Sequence, residues 1–116
     1  MIPINVNSGA VMLVDLRTYT LNPGKMRDFL EKYEAKGLPL HRKFVGEPIG
    51  YFTTEVGTLN QVVHMWGYES LADREIKRSR MEANVEWISY LDWMNSHNHI
   101  MHQEIKILKS TRFSKI

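Results

Sequence analysis

The sequence contains no cysteine among its 116 residues. Disulfide bonds, thiolate nucleophiles and cysteine-ligated zinc or iron–sulfur clusters are therefore excluded. A glycine-rich phosphate loop is also absent, because Gly46, Gly50 and Gly57 are scattered and no Gly-Lys-Ser/Thr comes after them. No Gly-x-Ser-x-Gly elbow occurs either. The sequence thus gives no sign of nucleotide hydrolysis or of serine-hydrolase chemistry.

Long apolar runs and a strong charge of one sign are missing as well. No apolar stretch approaches the roughly 20 residues that cross a bilayer, and residues 1–10 lack the basic start and apolar core of a signal peptide. The net charge is only +2, from 15 Lys and Arg against 13 Asp and Glu, which is small for a nucleic-acid-binding surface. We therefore expect a soluble, unprocessed, cytoplasmic protein that binds neither membranes nor nucleic acid.

Alternating and helical patterns account for most of the chain, whose length fits a single domain. Period-two alternation predicts strands at residues 11–20, 49–55, 61–68 and 100–108. Helical spacing of apolar residues predicts a helix after the first strand and a helical region after the third. The predicted order is therefore strand, helix, strand, strand, helix, strand.

Cap residues indicate where the helices begin. Asn22 predicts the start of the first helix, which Gly37 and Pro39 then interrupt. Ser70 and Asn84 predict the starts of two later helical segments. The second of these segments carries an apolar stripe formed by Trp87, Ile88, Leu91 and Met94.

A four-stranded antiparallel sheet with helices on one face satisfies this order with short, right-handed connections. We assign this ferredoxin-like α+β fold to residues 11–116 and expect residues 1–10 to form a mobile arm. The alternation leaves a second sheet face, on which we expect the side chains of Tyr19, Tyr51, Trp66 and Tyr68. An exposed aromatic patch of that size would be unusual. We therefore predict a homodimer in which two such faces pack together.

Four stretches of the sequence carry a family resemblance. LRTYTLNPGKMRDFL, GYFTTEVGTLNQVVHMWGYESLADRE, NVEW and KILKSTRFS resemble the NIPSNAP family. The likeness covers residues 11–114 and departs at Asn84-Val85, where the family commonly has an acid followed by proline. It implies a dimeric α+β barrel, the arrangement that the two-faced strands also predict. It implies no particular reaction, because the wider superfamily includes oxygenases, isomerases, haem-degrading enzymes and peroxidases, and a fold does not fix a function.

His64 is the main candidate for chemistry, because an unperturbed imidazole titrates near pH 6.5. Alternation places His64 on the face of Trp66 and Tyr68, and a neighbouring strand could bring Arg17 or Tyr19 within reach. His64, Arg17 and Tyr19 would suit a small acidic or carbonyl substrate, with Arg17 holding an anion and His64 moving a proton. The alternative is that His64 is a buried histidine that serves packing.

Further side chains are assigned to a pocket or an interface: Asp15, Tyr51, Trp66, Tyr68 and Trp87. Asp15 and Arg17 are two residues apart on a strand, so they project to the same side and can neutralise each other. Aromatic residues are typical of both cores and subunit interfaces. These assignments leave open whether the group lines a cavity or the dimer interface.

The remaining histidines give a weak signal. His97, His99 and His102 invite a metal hypothesis, but no carboxylate joins them before Glu104. We therefore predict no metal and no cofactor. His41, beside Arg42 and Lys43, could reach the mouth of a pocket, but we interpret it as lying at a solvated helix edge.

Two functions remain open at this point. The first is binding of a small, partly apolar molecule in a pocket between helices and sheet, with cofactor-independent proton-transfer or oxygenase chemistry as an extension. The second is a non-enzymatic interaction or scaffold protein whose aromatic faces serve homodimerisation. The sequence identifies neither a ligand nor a reaction.

Overall fold

The computed structural model describes residues 13–116, and the predicted arm at residues 1–10 lies outside them. The strands are β1 (Leu13–Leu21), β2 (Gly50–Thr53), β3 (Gln61–Tyr68) and β4 (Ile100–Lys109). The helices are α1 (Met26–Lys32), α2 (Leu38–Phe44), α3 (Leu71–Glu82) and α4 (Val85–Ser96), and a π-helical turn at Tyr33–Gly37 joins α1 to α2. The predicted order of elements and the ferredoxin-like α+β class are confirmed.

The strands form one antiparallel sheet in the order β2-β3-β1-β4. In this register Arg17 of β1 lies opposite His64 of β3 and Ile105 of β4. Residues paired in this way project to the same face of the sheet. The predicted proximity of Arg17 and His64 is therefore confirmed. β4 is the edge strand on the other side of β1.

Side-chain caps begin the two later helices as predicted. The Ser70 hydroxyl accepts a hydrogen bond from the Asp73 backbone N–H at 3.0 Å, and the Asn84 side chain accepts from two backbone N–H groups of α4. The cap predicted at Asn22 is wrong, because its amide donates instead to the Asn98 backbone carbonyl at 2.8 Å. The predicted apolar stripe of α4 is wrong at Ile88, which is 44% exposed. Tyr90 is buried instead.

A π-helical turn joins α1 to α2 where an interruption is predicted. The Leu38 N–H donates to the Tyr33 carbonyl, which is the five-residue spacing of a π turn. The wider turn accommodates Pro39, which has no N–H to donate. Only glycine fits at position 37, because a Cβ there would lie 2.6 Å from the Tyr33 ring and 3.1 Å from the Tyr90 ring.

The large aromatic side chains lie on the sheet face that the helices cover. Tyr19 packs edge-on against Phe29 of α1, and Trp66 packs against His41 of α2 with ring centroids 4.2 Å apart. The expectation of an uncovered aromatic face made of Tyr19, Tyr51, Trp66 and Tyr68 is therefore wrong. These rings bury more area than the aliphatic side chains opposite, so covering them with helices is the more favourable arrangement.

The opposite sheet face, which we call the bare face, carries smaller aliphatic side chains and one aromatic ring, that of Phe52. It is defined by Val14, Leu16, Phe52, Val63, Met65 and Leu108. The central members of this set are half-buried, whereas Phe52 and Leu108 are 51% and 41% exposed. No helix between residues 13 and 116 is both long and apolar enough to cross a membrane.

Candidate functional site

A cavity of about 280 Å³ lies between α3, α4 and the β1–β4 side of the sheet. Its polar wall consists of Arg17, Tyr19, His41, Arg78, Glu82, Asn95 and Gln103, and its apolar wall of Trp87, Leu91, Met94 and Ile100. The cavity is open because β4 is exposed from Met101 to Lys109. We call it the helix–sheet cavity. It occupies the place where the sequence predicts a pocket.

Arg17 is held on the cavity wall by Asp15. The Arg17 Nε and Nη2 groups donate to the two carboxylate oxygens of Asp15 at 3.0 and 3.2 Å, and the Arg74 Nε of α3 donates to the same carboxylate at 3.0 Å. Burial raises the pKa of the Asp15 carboxyl, but hydrogen bonds and charges from both arginines outweigh it and lower the pKa below its ordinary value. An ionised Asp15 therefore fixes the guanidinium of Arg17, as the predicted pairing requires.

His64 lies beside Tyr19 rather than on the cavity wall. Its Nδ1 accepts a hydrogen bond from the Trp66 indole N–H at 2.7 Å, and its Nε2 is buried without a partner among residues 13–116. Burial and then the charge of Arg17 lower the pKa of His64 to about 3, so its ring is neutral at pH 7. The ring centroids of His64 and Tyr19 are 4.7 Å apart. The structure thus brings His64, Arg17 and Tyr19 together but opens only Arg17 and Tyr19 to the cavity.

The other side chains assigned to a pocket or an interface separate into two groups. Trp87 lines the cavity, and its indole N–H is buried with no hydrogen-bond acceptor among residues 13–116. Tyr51, Trp66 and Tyr68 belong to the packed layer between sheet and helices. A buried donor without a partner costs about 1–3 kcal/mol. The indole N–H of Trp87 is shielded from solvent, so a molecule in the cavity could accept from it only after side chains moved.

His41 is the functional candidate that the sequence interpretation misplaces. It is only 6% exposed and lines the cavity, so its assignment to a solvated helix edge is wrong. Its Nδ1 shares a 2.6 Å hydrogen bond with the Tyr33 hydroxyl, and its ring packs between Trp66 and Trp87. Burial lowers the pKa of His41 to about 3, and the positive charges of Arg78 and Arg17 contribute in the same direction. One sequence signal for the buried position of His41 is that it comes directly after the core residue Leu40.

The three late histidines are separated in the structure. His99 is fully buried, where its Nε2 bonds the Asp28 carboxylate at 2.7 Å and its Nδ1 lies 3.2 Å from the Met94 carbonyl oxygen. His97 ends α4, and His102 lies on β4 opposite Thr20. No group of three or more His, Cys, Asp or Glu side chains suited to a metal ion occurs in the described part of the chain.

A larger depression of about 590 Å³ lies on the outer surface, between the π turn and α4. Its charged side chains are Lys32, Lys36 and Glu86, all of them at least partly exposed. The smaller helix–sheet cavity is the better candidate site, because the buried polar side chains of Arg17 and His41 converge there beside an apolar wall.

Acidification should destabilise the protein through His41 and His64. Both pKa values are lowered from 6.5 to about 3, so below pH 6.5 the unfolded chain binds protons that the folded protein does not. Stability is therefore lost as the pH falls from 6.5 towards 3, by up to about 1.4 kcal/mol per pH unit for each histidine. Urea unfolding at pH 7.5 and pH 5.0, at fixed protein concentration, should differ by about 2 kcal/mol for each.

Two variants separate this effect from general acid sensitivity. His64→Gln should show a clearly smaller difference between the two pH values than the original protein. His102→Gln, at an exposed position on β4, should behave like the original protein. Equal stability of the original protein at both pH values would contradict the buried, neutral state of these rings.

Comparison with known sequences places this architecture in a family. The family model described as NIPSNAP matches residues 14–115. Protein NipSnap homolog from Dictyostelium discoideum is 36% identical over 84 residues, which are 72% of this chain and 37% of that protein. Protein NipSnap homolog 3A from Homo sapiens is 38% identical over 74 residues, which are 63% of this chain and 29% of that protein. The chain therefore spans less than two fifths of the length of these relatives.

Solved structures agree with the sequence match. A NIPSNAP-like domain protein from Burkholderia xenovorans is 40% identical, with a TM-score of 0.83 and 90% of each chain covered. A NIPSNAP family protein of unknown function from Agrobacterium tumefaciens is 36% identical, with a TM-score of 0.83 over 90% of this chain and 93% of that chain. A Nitrosomonas europaea protein provisionally named an antibiotic biosynthesis monooxygenase shares the fold at 11% identity, with a TM-score of 0.63 over 95% of this chain and 99% of that chain. The chain therefore belongs to the NIPSNAP family.

Proposed function

We propose that the protein binds a small, partly apolar molecule in the helix–sheet cavity. The observation that carries this proposal is the convergence of buried Arg17, buried His41 and half-buried Arg78 on one open cavity. Leu91 and Met94 supply an apolar wall beside these groups. Ligand sites typically combine apolar walls with a few polar groups that fix orientation. A volume of about 280 Å³ suits a molecule of one or two rings.

In this proposal Arg17 and Tyr19 contact the ligand directly. His64 is buried and does not line the cavity, so it could reach a ligand only after neighbouring side chains moved. Its neutral ring could then accept a proton only at a cost, because burial disfavours the charged form. Cofactor-independent proton transfer or oxygenase chemistry by His64, Arg17 and Tyr19 therefore stays a prediction, and binding is the function that the geometry supports best.

Filling the mouth of the cavity should weaken binding. We expect 1-naphthylacetamide, a neutral probe with an apolar body, to bind saturably at one site per chain in isothermal titration calorimetry. Gln103→Trp places a large ring at the exposed edge of the cavity and should weaken binding at least tenfold. Lys109→Trp makes a similar change on the same strand and face, away from the cavity, and should leave affinity unchanged. Equal binding by both variants would sink the proposal, as would the absence of saturable binding by both this amide and the corresponding acid, 1-naphthylacetate.

We also propose that two copies of the chain pair through their bare faces. This contact is the basis of the second candidate function, a non-enzymatic interaction or scaffold protein. The aliphatic residues of the bare face are half-buried or exposed, and no helix layer packs on them within residues 13–116. Glu104 and Lys106 lie on the same face of β4, opposite Thr18 and Leu16. Around a two-fold axis, each charge of one copy can meet the opposite charge of the other.

A charge at the centre of the bare face should dissociate the dimer. Leu16→Lys would bury two ammonium groups near the symmetry axis, so we expect its mass by light scattering after gel filtration to be that of one chain. Ile76→Lys makes the same change at an exposed position on α3 and should remain dimeric. An original protein that is monomeric at a concentration of about 100 μM would contradict the pairing.

A further inference from the structure

Two arginines line the helix–sheet cavity, and their guanidinium groups can only donate hydrogen bonds. They are Arg17 and Arg78, whereas Tyr19, Asn95 and Gln103 can both donate and accept. Glu82 is the one acid on the wall, and it pairs with Arg78 at 3.0 Å one turn away on α3. A molecule that satisfies this wall must therefore supply acceptor atoms.

His41 adds a further donor. The Tyr33 hydroxyl forms its one side-chain hydrogen bond within residues 13–116 to the Nδ1 of His41. A buried hydroxyl hydrogen needs an acceptor, so we assign the hydroxyl as the donor and Nδ1 as the acceptor. The proton of the neutral ring is then on Nε2. This nitrogen is the one left for a molecule in the cavity, and it is available as an N–H.

The ion pairs that contain the wall residues Arg17 and Arg78 carry a surplus of one positive charge when Arg74, which lies behind the wall, is included. Arg17 and Arg74 share the single carboxylate of Asp15, whereas Arg78 is matched by Glu82. Two guanidinium groups and one carboxylate sum to one positive charge, which a singly charged anion would neutralise. Electrostatic attraction at such a partly buried position is stronger than in bulk water.

We infer that the cavity binds a small monocarboxylic acid, with its carboxylate at Arg17, Arg78 and His41 and its apolar body against Leu91 and Met94. The inference rests on the proposed binding function and names the class of molecule that the site takes. A carboxylate offers two acceptor atoms and one charge, matching the donors and the surplus positive charge. A phosphate monoester carries more charge than the wall compensates, so it fits less well. The lowered pKa of His41 supports a neutral N–H donor at this position at pH 7.

The test compares an acid with its uncharged amide. At pH 7.5, 1-naphthylacetate should bind at least tenfold more tightly than 1-naphthylacetamide in calorimetric titrations of the whole chain. Arg78→Gln should reduce the affinity for the acid about tenfold and leave the affinity for the amide within twofold. Arg80→Gln removes an exposed arginine from the same helix that does not line the cavity, so it should change neither affinity.

The possible results distinguish the inference from the proposed function. Equal affinity for acid and amide, or a preference for the amide, overturns the carboxylate site while small-molecule binding stands. The same holds if Arg78→Gln weakens both probes equally. If neither probe binds the original protein, the binding function and the carboxylate site both fail.

Discussion

Replacing Asp15 with asparagine is expected to lower the free energy of unfolding by about 3–5 kcal/mol. Asp15 is 1% exposed and takes hydrogen bonds from both Arg17 and Arg74. A neutral amide would leave the guanidinium of Arg17, itself 7% exposed, without a compensating charge. Because small domains are stable by only about 5–15 kcal/mol, this loss should be visible as a large shift in a urea unfolding curve.

A second acid-to-amide change provides the control for Asp15→Asn. Glu82→Gln breaks the Arg78 pair, in which the Glu82 side chain is 54% exposed, and should cost less than about 1 kcal/mol. Comparing the two losses in unfolding free energy tests whether the burial of Asp15, rather than the mere presence of an ion pair, makes its carboxylate important. Equal, small losses for Asp15→Asn and Glu82→Gln would show that the Arg17 guanidinium does not depend on Asp15 in the folded protein.

Truncating Trp66 to alanine is expected to cost about 3–5 kcal/mol. Trp66 is 2% exposed, packs against His41, and donates its indole N–H to the Nδ1 of His64. The change therefore opens a cavity in the layer between sheet and helices and removes the one hydrogen bond of a buried ring. The free energy of unfolding from urea titration measures the combined loss.

A conservative substitution separates the two contributions. Trp66→Phe keeps an aromatic ring in the core and removes only the N–H and part of the volume, so we expect a loss of about 1–2 kcal/mol. A loss below about 1 kcal/mol for Trp66→Ala would contradict the placement of Trp66 in the core. Loss of dimer without loss of monomer stability would instead indicate an interface role for Trp66, as the sequence interpretation assumes.

Local signals are sufficient to predict much of the fold. The alternation in β3 and the caps at Ser70 and Asn84 depend on neighbouring residues only, and the structure contains them where predicted. The pairing of Arg17 with His64 can be deduced once the strand order is known. The failed cap at Asn22 has a non-local cause, because its partner Asn98 lies 76 residues further along the chain.

Period-two alternation cannot reveal which face of the sheet the helices cover. Alternation correctly places Tyr19 on the same sheet face as Arg17, and Trp66 on the same sheet face as His64. Either of the two faces of the sheet could nevertheless form the core. The aromatic face is covered because its rings bury more area and because the Asp15–Arg17 pair satisfies its own charges there.

The position of His41 depends on the π turn. Counting at 3.6 residues per turn from Phe29 places Leu40 on the buried face but His41 well away from it. One extra residue in the turn rotates the residues of α2 about the helix axis by about 100°, which brings His41 onto the buried side. His41 is therefore misplaced by the sequence analysis because it comes after the π turn, where regular helical counting no longer applies.

The most direct measurement of the binding site is a crystal structure of the whole chain grown with 4-bromophenylacetate, in which anomalous scattering locates the bromine atom. We expect one strong bromine peak per chain beside Leu91 and Met94, with the carboxylate within hydrogen-bond distance of Arg17 or Arg78. A helix–sheet cavity filled by side chains, or bromine bound only elsewhere on the molecule, would contradict the claim that this cavity is the binding site.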